Sequence, residues 1–195
     1  TTRDVAGAAL AADEWHHIVM TGSTSAGRLD LYIDGVLVDS DTSLVNDATF
    51  NGADGLLTAH LTIGANRPDA SLGNAGGYWP YDGLLDEVAI YDAVLDAPAI
   101  SKHYYTGLAA AYRNAVLADR PIIYYEFEET SGTTAINNGT LGTSHNGTIT
   151  GSVTLDQTSF DESGTAYDFG GGHVQAAAFT SLTEWTVEAW INWDA

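Results

Sequence analysis

Apolar and polar residues alternate with a period of two along most of the chain, which predicts β-strands rather than helices. Leu29, Leu31 and Ile33 alternate with Asp30, Tyr32 and Asp34, and Asp34-Gly35 then turns the chain into Val36-Leu37-Val38. Alternation around an Asp-Gly pair is the signature of a tight two-residue hairpin, with one face expected to be buried. His16, Ile18 and Met20 set against His17, Val19 and Thr21 predict another strand, and Leu61-Thr62-Ile63 a short one. Leu84 to Tyr91 is apolar on both faces, so it is expected centrally in a sheet. Further strands are predicted at Ile122 to Glu128, Ser152 to Leu155, Ala166 to Phe169, Val174 to Ala176 and Trp185 to Trp193. Residues 39–58, 65–82 and 130–151 are rich in Asp, Asn, Gly, Ala and Thr, which predicts loops.

The period changes after Tyr91. Asp96 is placed to cap a short helix with Pro98 in its first turn, running through Ile100, His103 and Tyr104 and stopping at Gly107. A second helical stretch from Ala109 to Leu117 follows. A short helical segment is thus expected near 96–117, and the segment 106–120, helical and poor in Ser, Gly and Pro, is expected to be a rather stiff junction and not a flexible tether.

Three motifs of the first half, Trp15-His16-His17-Ile18-Val19, Leu29-Asp30-Leu31-Tyr32-Ile33-Asp34-Gly35 and Gly83-Leu84-Leu85-Asp86-Glu87-Val88-Ala89-Ile90-Tyr91, resemble the closing strands of a laminin G-like, concanavalin A-like lectin/glucanase jelly-roll domain. Two of the second half, Tyr124-Tyr125-Glu126-Phe127-Glu128-Glu129-Thr130-Ser131-Gly132 and Trp185-Thr186-Val187-Glu188-Ala189-Trp190-Ile191, resemble the opening strands of the same domain type. The resemblance implies an all-β fold, an antiparallel two-sheet jelly-roll sandwich. It also implies an end followed by a beginning: residues 1–108 as the C-terminal part of one domain, 109–120 as a junction and 121–195 as the N-terminal part of the next. Because several strands normally lie between motifs like Ala189-Trp190-Ile191 and Trp15-His16-His17, the two segments are expected not to close into one complete sandwich. Neighbouring repeats, or neighbouring copies of the chain in a filament, are the expected partners.

Composition narrows the function classes. The chain has 26 acidic against 6 basic residues, a net charge of −20, which repels phosphate backbones and argues against nucleic-acid binding. It has no cysteine, which excludes disulfides and thiolate metal sites. No run of about 18 apolar residues predicts membrane insertion.

The candidate chemistry is sparse. Asp86-Glu87 lies in a predicted strand, so the two carboxylates are expected on opposite faces and not as a working pair. The resemblance implies a structural calcium with Asp86 as a ligand, while Asn137 stands where the family usually has an aspartate and Gly170 where it has another; the alternative for Asp86 is a carboxylate hydrogen-bonded to backbone. Glu126 and Glu128 are similar to part of a glucanase carboxylate motif, but Ser131 occupies the third position. Histidines are scattered without zinc spacing. Asn74, Tyr78, Trp79 and Tyr81, in a Gly-rich loop, are candidates for stacking on and hydrogen-bonding a sugar, or else for folding onto the sandwich. Asn138 and Asn146 head Asn-Gly-Thr glycosylation patterns. The leading expectation is a non-enzymatic extracellular or cell-surface repeat protein for adhesion, a surface layer or a filament. The alternative is a carbohydrate-binding module attached to a secreted enzyme.

Overall fold

A computed structural model describes residues 10–42, 50, 60–66, 79–107 and 111–193. The first segment supplies β1 (His16–Ser23), β2 (Arg28–Ile33), β3 (Val36–Asp41), β4 (His60–Ile63), β5 (Ala65–Asn66), β6 (Trp79–Pro80), β7 (Gly83–Tyr91) and α1 (Ala97–Gly107). The second supplies α2 (Tyr112–Ala118), β8 (Ile123–Tyr125), β9 (Thr134–Ala135), β10 (Gly147–Thr150), β11 (Thr154–Thr158), β12 (Thr165–Asp168), β13 (His173–Ala177) and β14 (Glu184–Trp193). The expected all-β antiparallel sandwich is observed, with two short helices beside it.

The two segments interleave. Among the described residues the larger sheet runs β11-β12-β7-β14-β1-β2-β3, and β8 also pairs with β7; the smaller runs β4-β13-β10-β9. β14, from the second segment, lies between β7 and β1 of the first, and β13 pairs with β4 and β10. This corrects the expectation that the segments would not close on one another. The end-before-beginning order is, in space, a circular one: the Asp13 amide donates to the Trp193 carbonyl at 3.1 Å, so the end of β14 adjoins the start of β1.

Strand alternation explains the two cores. Val187, Ala189 and Ile191 of β14 pack between the sheets with Val88, Ile90, Tyr125, Tyr167, Phe169 and Val174. On the opposite face Trp190 joins Tyr91, Tyr112 and Tyr124 beneath the helices, stacked on Phe160 at 4.3 Å between ring centroids. Because β7 and β14 are covered on both faces, both strands are apolar on both, as expected for Leu84 to Tyr91. α1 ends at Gly107, where a Cβ would lie 2.5 Å from the Trp190 ring. Its start is capped as expected, the Ala99 amide donating to Asp96 Oδ1 at 2.9 Å. Asp34 and Gly35 both have positive φ, 51° and 76°, the conformation of the two-residue hairpin turn.

Three local expectations change. β8 ends at Tyr125 and not at Glu128, because Phe127 takes φ 55° and breaks the strand. The stretches 39–58, 65–82 and 130–151, expected as loops, contain respectively the end of β3, then β5 and β6, and β9 and β10. The register between β14 and β7 shifts between Glu188 and Trp190, opposite a β-bulge in which Glu87 has φ 54°. That bulge puts Leu85 and Val88 into the same inter-sheet core and leaves Asp86 and Glu87 together on the helix side. The expectation of opposite faces is corrected accordingly.

Candidate functional site

The helix-side face of the larger sheet carries most of the buried polar chemistry. Glu188, in the middle of β14, has no solvent exposure, nor do His17 of β1 and His103 of α1. His103 donates through Nδ1 to both Glu188 oxygens, at 3.1 and 3.0 Å, and through Nε2 to Asp119 at 2.9 Å. His17 Nε2 donates to Glu188 Oε2 at 3.2 Å, and the Tyr91 hydroxyl donates to Oε1. Burial alone would push the Glu188 carboxyl up; hydrogen bonds from the two histidines and their charges outweigh it and hold the group at about 2. Burial pulls the opposite way on His103, but Glu188 and Asp119, one at each ring nitrogen, keep its titration above the ordinary value. The arrangement of carboxylate, imidazole and carboxylate has the parts of an acid–base relay. Only its outer carboxylate, Asp119, reaches solvent; Glu188 and the imidazole are sealed beneath it, and a general base must reach the proton that it takes.

The bulge gathers a second set. Asp86 is 1% exposed and accepts one long hydrogen bond from the Phe160 amide, 3.4 Å, while its Oδ1 has no partner. Burial and the neighbouring Glu87 charge push it well above the carboxylate range. Glu87 accepts from the Tyr124 hydroxyl; burial raises it to about 8 against that bond, helped by Glu126, Glu128 and Asp161. Glu126 is held by Arg113, whose Nε lies 3.0 Å from each carboxylate oxygen, and Glu128 accepts from the Thr165 amide at 3.2 Å. Both carboxylates of the partial glucanase motif are thus already engaged.

Asn137 locks a turn. Its Oδ1 accepts from the Tyr124 and Gly139 amides at 2.7 and 2.9 Å, and its Nδ2 donates to the Gly142 carbonyl at 3.1 Å. None of these contacts involves Asp86, so the described structure does not bring the two expected calcium ligands together. Among the described residues no three histidine or acidic side chains are grouped to hold a metal ion. Calcium asks for six or more hard oxygen donors, and the described residues gather no group of acidic side chains at Asp86 to begin such a set.

Asn138 is exposed, whereas Asn146 is half-buried and its Oδ1 accepts from the Asn137 amide at 3.0 Å. Of the sugar-stacking candidates, Asn74 and Tyr78 and the Trp79 side chain lie outside the described residues. Tyr81 is half-buried against the inter-sheet core, and its hydroxyl donates to the Leu84 carbonyl at 3.4 Å.

The open chemistry is elsewhere. Farther along the same face of β1, a groove of about 360 Å³ is lined by Thr21, Ser23, Arg28, Asp30, Tyr32 and Glu184, with Val94, Leu95 and Asp96 as its far wall. Thr186 pins that wall to β14: its hydroxyl accepts from the Leu95 amide and donates to the Ala93 carbonyl, both at 2.8 Å. Arg28 Nε lies 2.8 and 2.7 Å from the two Asp30 oxygens, and the arginine side chain is 45% exposed, so the guanidinium is fixed by the strand and still meets solvent. Glu184 accepts from the hydroxyls of Ser25 and Ser23 at 2.6 and 2.9 Å, which hold its carboxyl below the ordinary value. The groove combines an aromatic and two aliphatic side chains with fixed donors and acceptors, within the volume range of small-ligand sites. The sequence carried a signal for it: Arg28 and Asp30, two apart on a strand, share a face. Glu188, a lone charge in an apolar strand, was likewise a sign of a buried partner.

Comparison with protein families matches residues 1–101 to the model described as the concanavalin A-like lectin/glucanases superfamily. No curated protein and no solved structure matches the chain.

Proposed function

The chain belongs to the concanavalin A-like lectin/glucanases superfamily, and we propose that it works as a non-catalytic, extracellular binding and adhesion module whose groove at Arg28, Asp30 and Tyr32 takes a glycan. The observation that carries this reading is a contrast in access. His17, His103 and Glu188 have no solvent exposure and, among the described residues, reach solvent only through Asp119, while the groove has a floor of Thr21, Asp30 and Tyr32 and a solvent-facing rim of Arg28, Asp96 and Glu184. Recognition asks for such fixed groups at a surface; hydrolysis asks for a carboxyl pair across a cleft. Asp30, Asp96 and Glu184 outnumber Arg28 at the groove, so it disfavours sulfated and uronic glycans and favours neutral or amino sugars. Membership of the superfamily supports the extracellular setting.

The test is a glycan array read alongside release of reducing ends from the same glycans. Binding to neutral or amino glycans is expected, with Arg28→Ala weakening it about tenfold, ~1.4 kcal/mol, at unchanged circular dichroism. Bond cleavage that Glu188→Gln abolishes would overturn the non-catalytic reading. Binding that Arg28→Ala leaves intact would move the site elsewhere.

A further inference from the structure

We propose that this chain exchanges its two segments with a second copy of itself, residues 111–193 of each copy completing the sheets of residues 10–107 of the other. The inference goes beyond ligand recognition and rests on how the sheets are built.

Neither segment has a finished sheet alone. β7 and β1 meet only through β14, which pairs with β7 from Gly83 to Tyr91 and with β1 from His16 to Ser23. In the smaller sheet β13 sits between β4 and β10. Removing the second segment would leave Glu188's partners His17, His103 and Tyr91 buried beneath the first segment's helix without their carboxylate, and would open the inter-sheet core. Each segment therefore presents a surface with one close complement, and every copy of the chain carries that complement. Charge, hydrogen-bond register and apolar pattern are matched by construction.

The covalent link plays little part in that match. The segments are joined through α1 and α2, where the Ala111 amide reaches the Thr106 carbonyl at 3.1 Å, whereas at the opposite rim, among the described residues, the Asp13 amide donates to the Trp193 carbonyl beyond the end of the β1–β14 ladder. A segment arriving from another copy would form the same pairs β7–β14, β14–β1 and β4–β13. The exchanged and unexchanged states thus differ mainly in the α1–α2 connection and in chain concentration. A short link gives an effective concentration on the order of mM, so exchange is expected to rise as the chain approaches that level. At a net charge of −20 per copy, added salt should favour it as well.

The chain has no cysteine, which makes cross-linking clean. Met20 and Val187 are directly opposed on β1 and β14, and so are Ile18 and Ala189; opposed antiparallel residues lie within disulfide reach. The full chain carrying Met20→Cys with Val187→Cys is unfolded in urea, refolded at about 1 µM or about 1 mM, oxidised and run on a denaturing gel without reductant. Disulfide-linked dimers and larger species at the higher concentration, with monomers at the lower, are expected. Disulfides confined to monomers at both concentrations would overturn the proposal. The Ile18→Cys, Ala189→Cys pair repeats the test should the first variant fail to fold. In parallel, wild-type chains with light and heavy nitrogen are refolded together and weighed by native mass spectrometry, where dimers of intermediate mass are expected and their absence counts against exchange. Wild-type dimers combined with purely intrachain disulfides would show association without exchange, and would also overturn it.

Discussion

His17 and Thr21 are four residues apart on the same face of the same strand, yet they meet opposite surroundings. His17 lies under α1 and α2, bonded to a buried glutamate; Thr21 lines an open groove beside Arg28 and Asp30. Between them Val19 packs on Tyr32 and Ile100, the last apolar contact before the helical cover gives out. What separates the two regions is the cover and not the strand. Where helices exclude water, a charge persists only with partners on every side; where they stop, similar groups remain free to meet a ligand.

The largest effect should come from breaking the covered half. Glu188→Gln removes the charge that His103 and His17 answer, and breaking a buried pair of this kind costs about 3–5 kcal/mol. Urea denaturation at pH 6 is expected to show this loss. A change below about 1 kcal/mol would mean that the network contributes no more than a surface pair.

Next comes the dependence on pH. Glu87 is raised from 4.5 to about 8 in the folded chain, and Asp86, Glu128 and His103 are raised too. Each of these groups binds its proton more tightly when folded, so its contribution is fully present below its ordinary value and is lost as pH rises through the folded one. Glu188, at about 2 against an ordinary 4.5, behaves oppositely: its contribution is present above 4.5 and lost as pH falls towards 2. Stability should therefore peak in mild acid, near pH 5, and fall by a few kcal/mol, on the order of one for each pKa unit, by pH 8. Glu87→Gln should flatten that alkaline slope. A flat profile from pH 5 to 8 in the wild type would show that the bulge carboxyls are not held neutral.

The open half should respond less. Glu184→Gln, which keeps an acceptor for Ser23 and Ser25, is expected to cost under about 1 kcal/mol, as exposed charges do. The smallest effect concerns calcium: adding a chelator should move the melting temperature by less than about 1 °C, since no donor set is gathered at Asp86 among the described residues. A larger fall would place calcium ligands outside them.

Local features of this pattern were legible in the sequence. The Asp34-Gly35 turn, the Asp96 cap and the Gly107 stop are each set by a few neighbouring residues, and each is observed. The bulge at Asp86-Glu87 was hidden, because its cause lies in the register with β14, a hundred residues downstream. The early end of β8 was hidden as well, since alternation through Glu128 says nothing of the backbone at Phe127. The joining of the segments was the least legible feature, for strand pairing between distant residues leaves no local mark. Of the candidate site, the spacing of Arg28 and Asp30 could be read, but not the loop at 93–96 that walls the groove.

The seat of β14 also decides when this protein can become itself. During synthesis, β1 and β7 are made long before the strand that belongs between them, and they cannot finish their sheet until residues near 190 have left the ribosome. Pairing across such sequence separations is slow, because loop closure must precede the contacts that reward it. Until then the nascent chain carries two unsatisfied strand edges side by side, open to any passing strand. That exposure ends only when β14 takes its place between them.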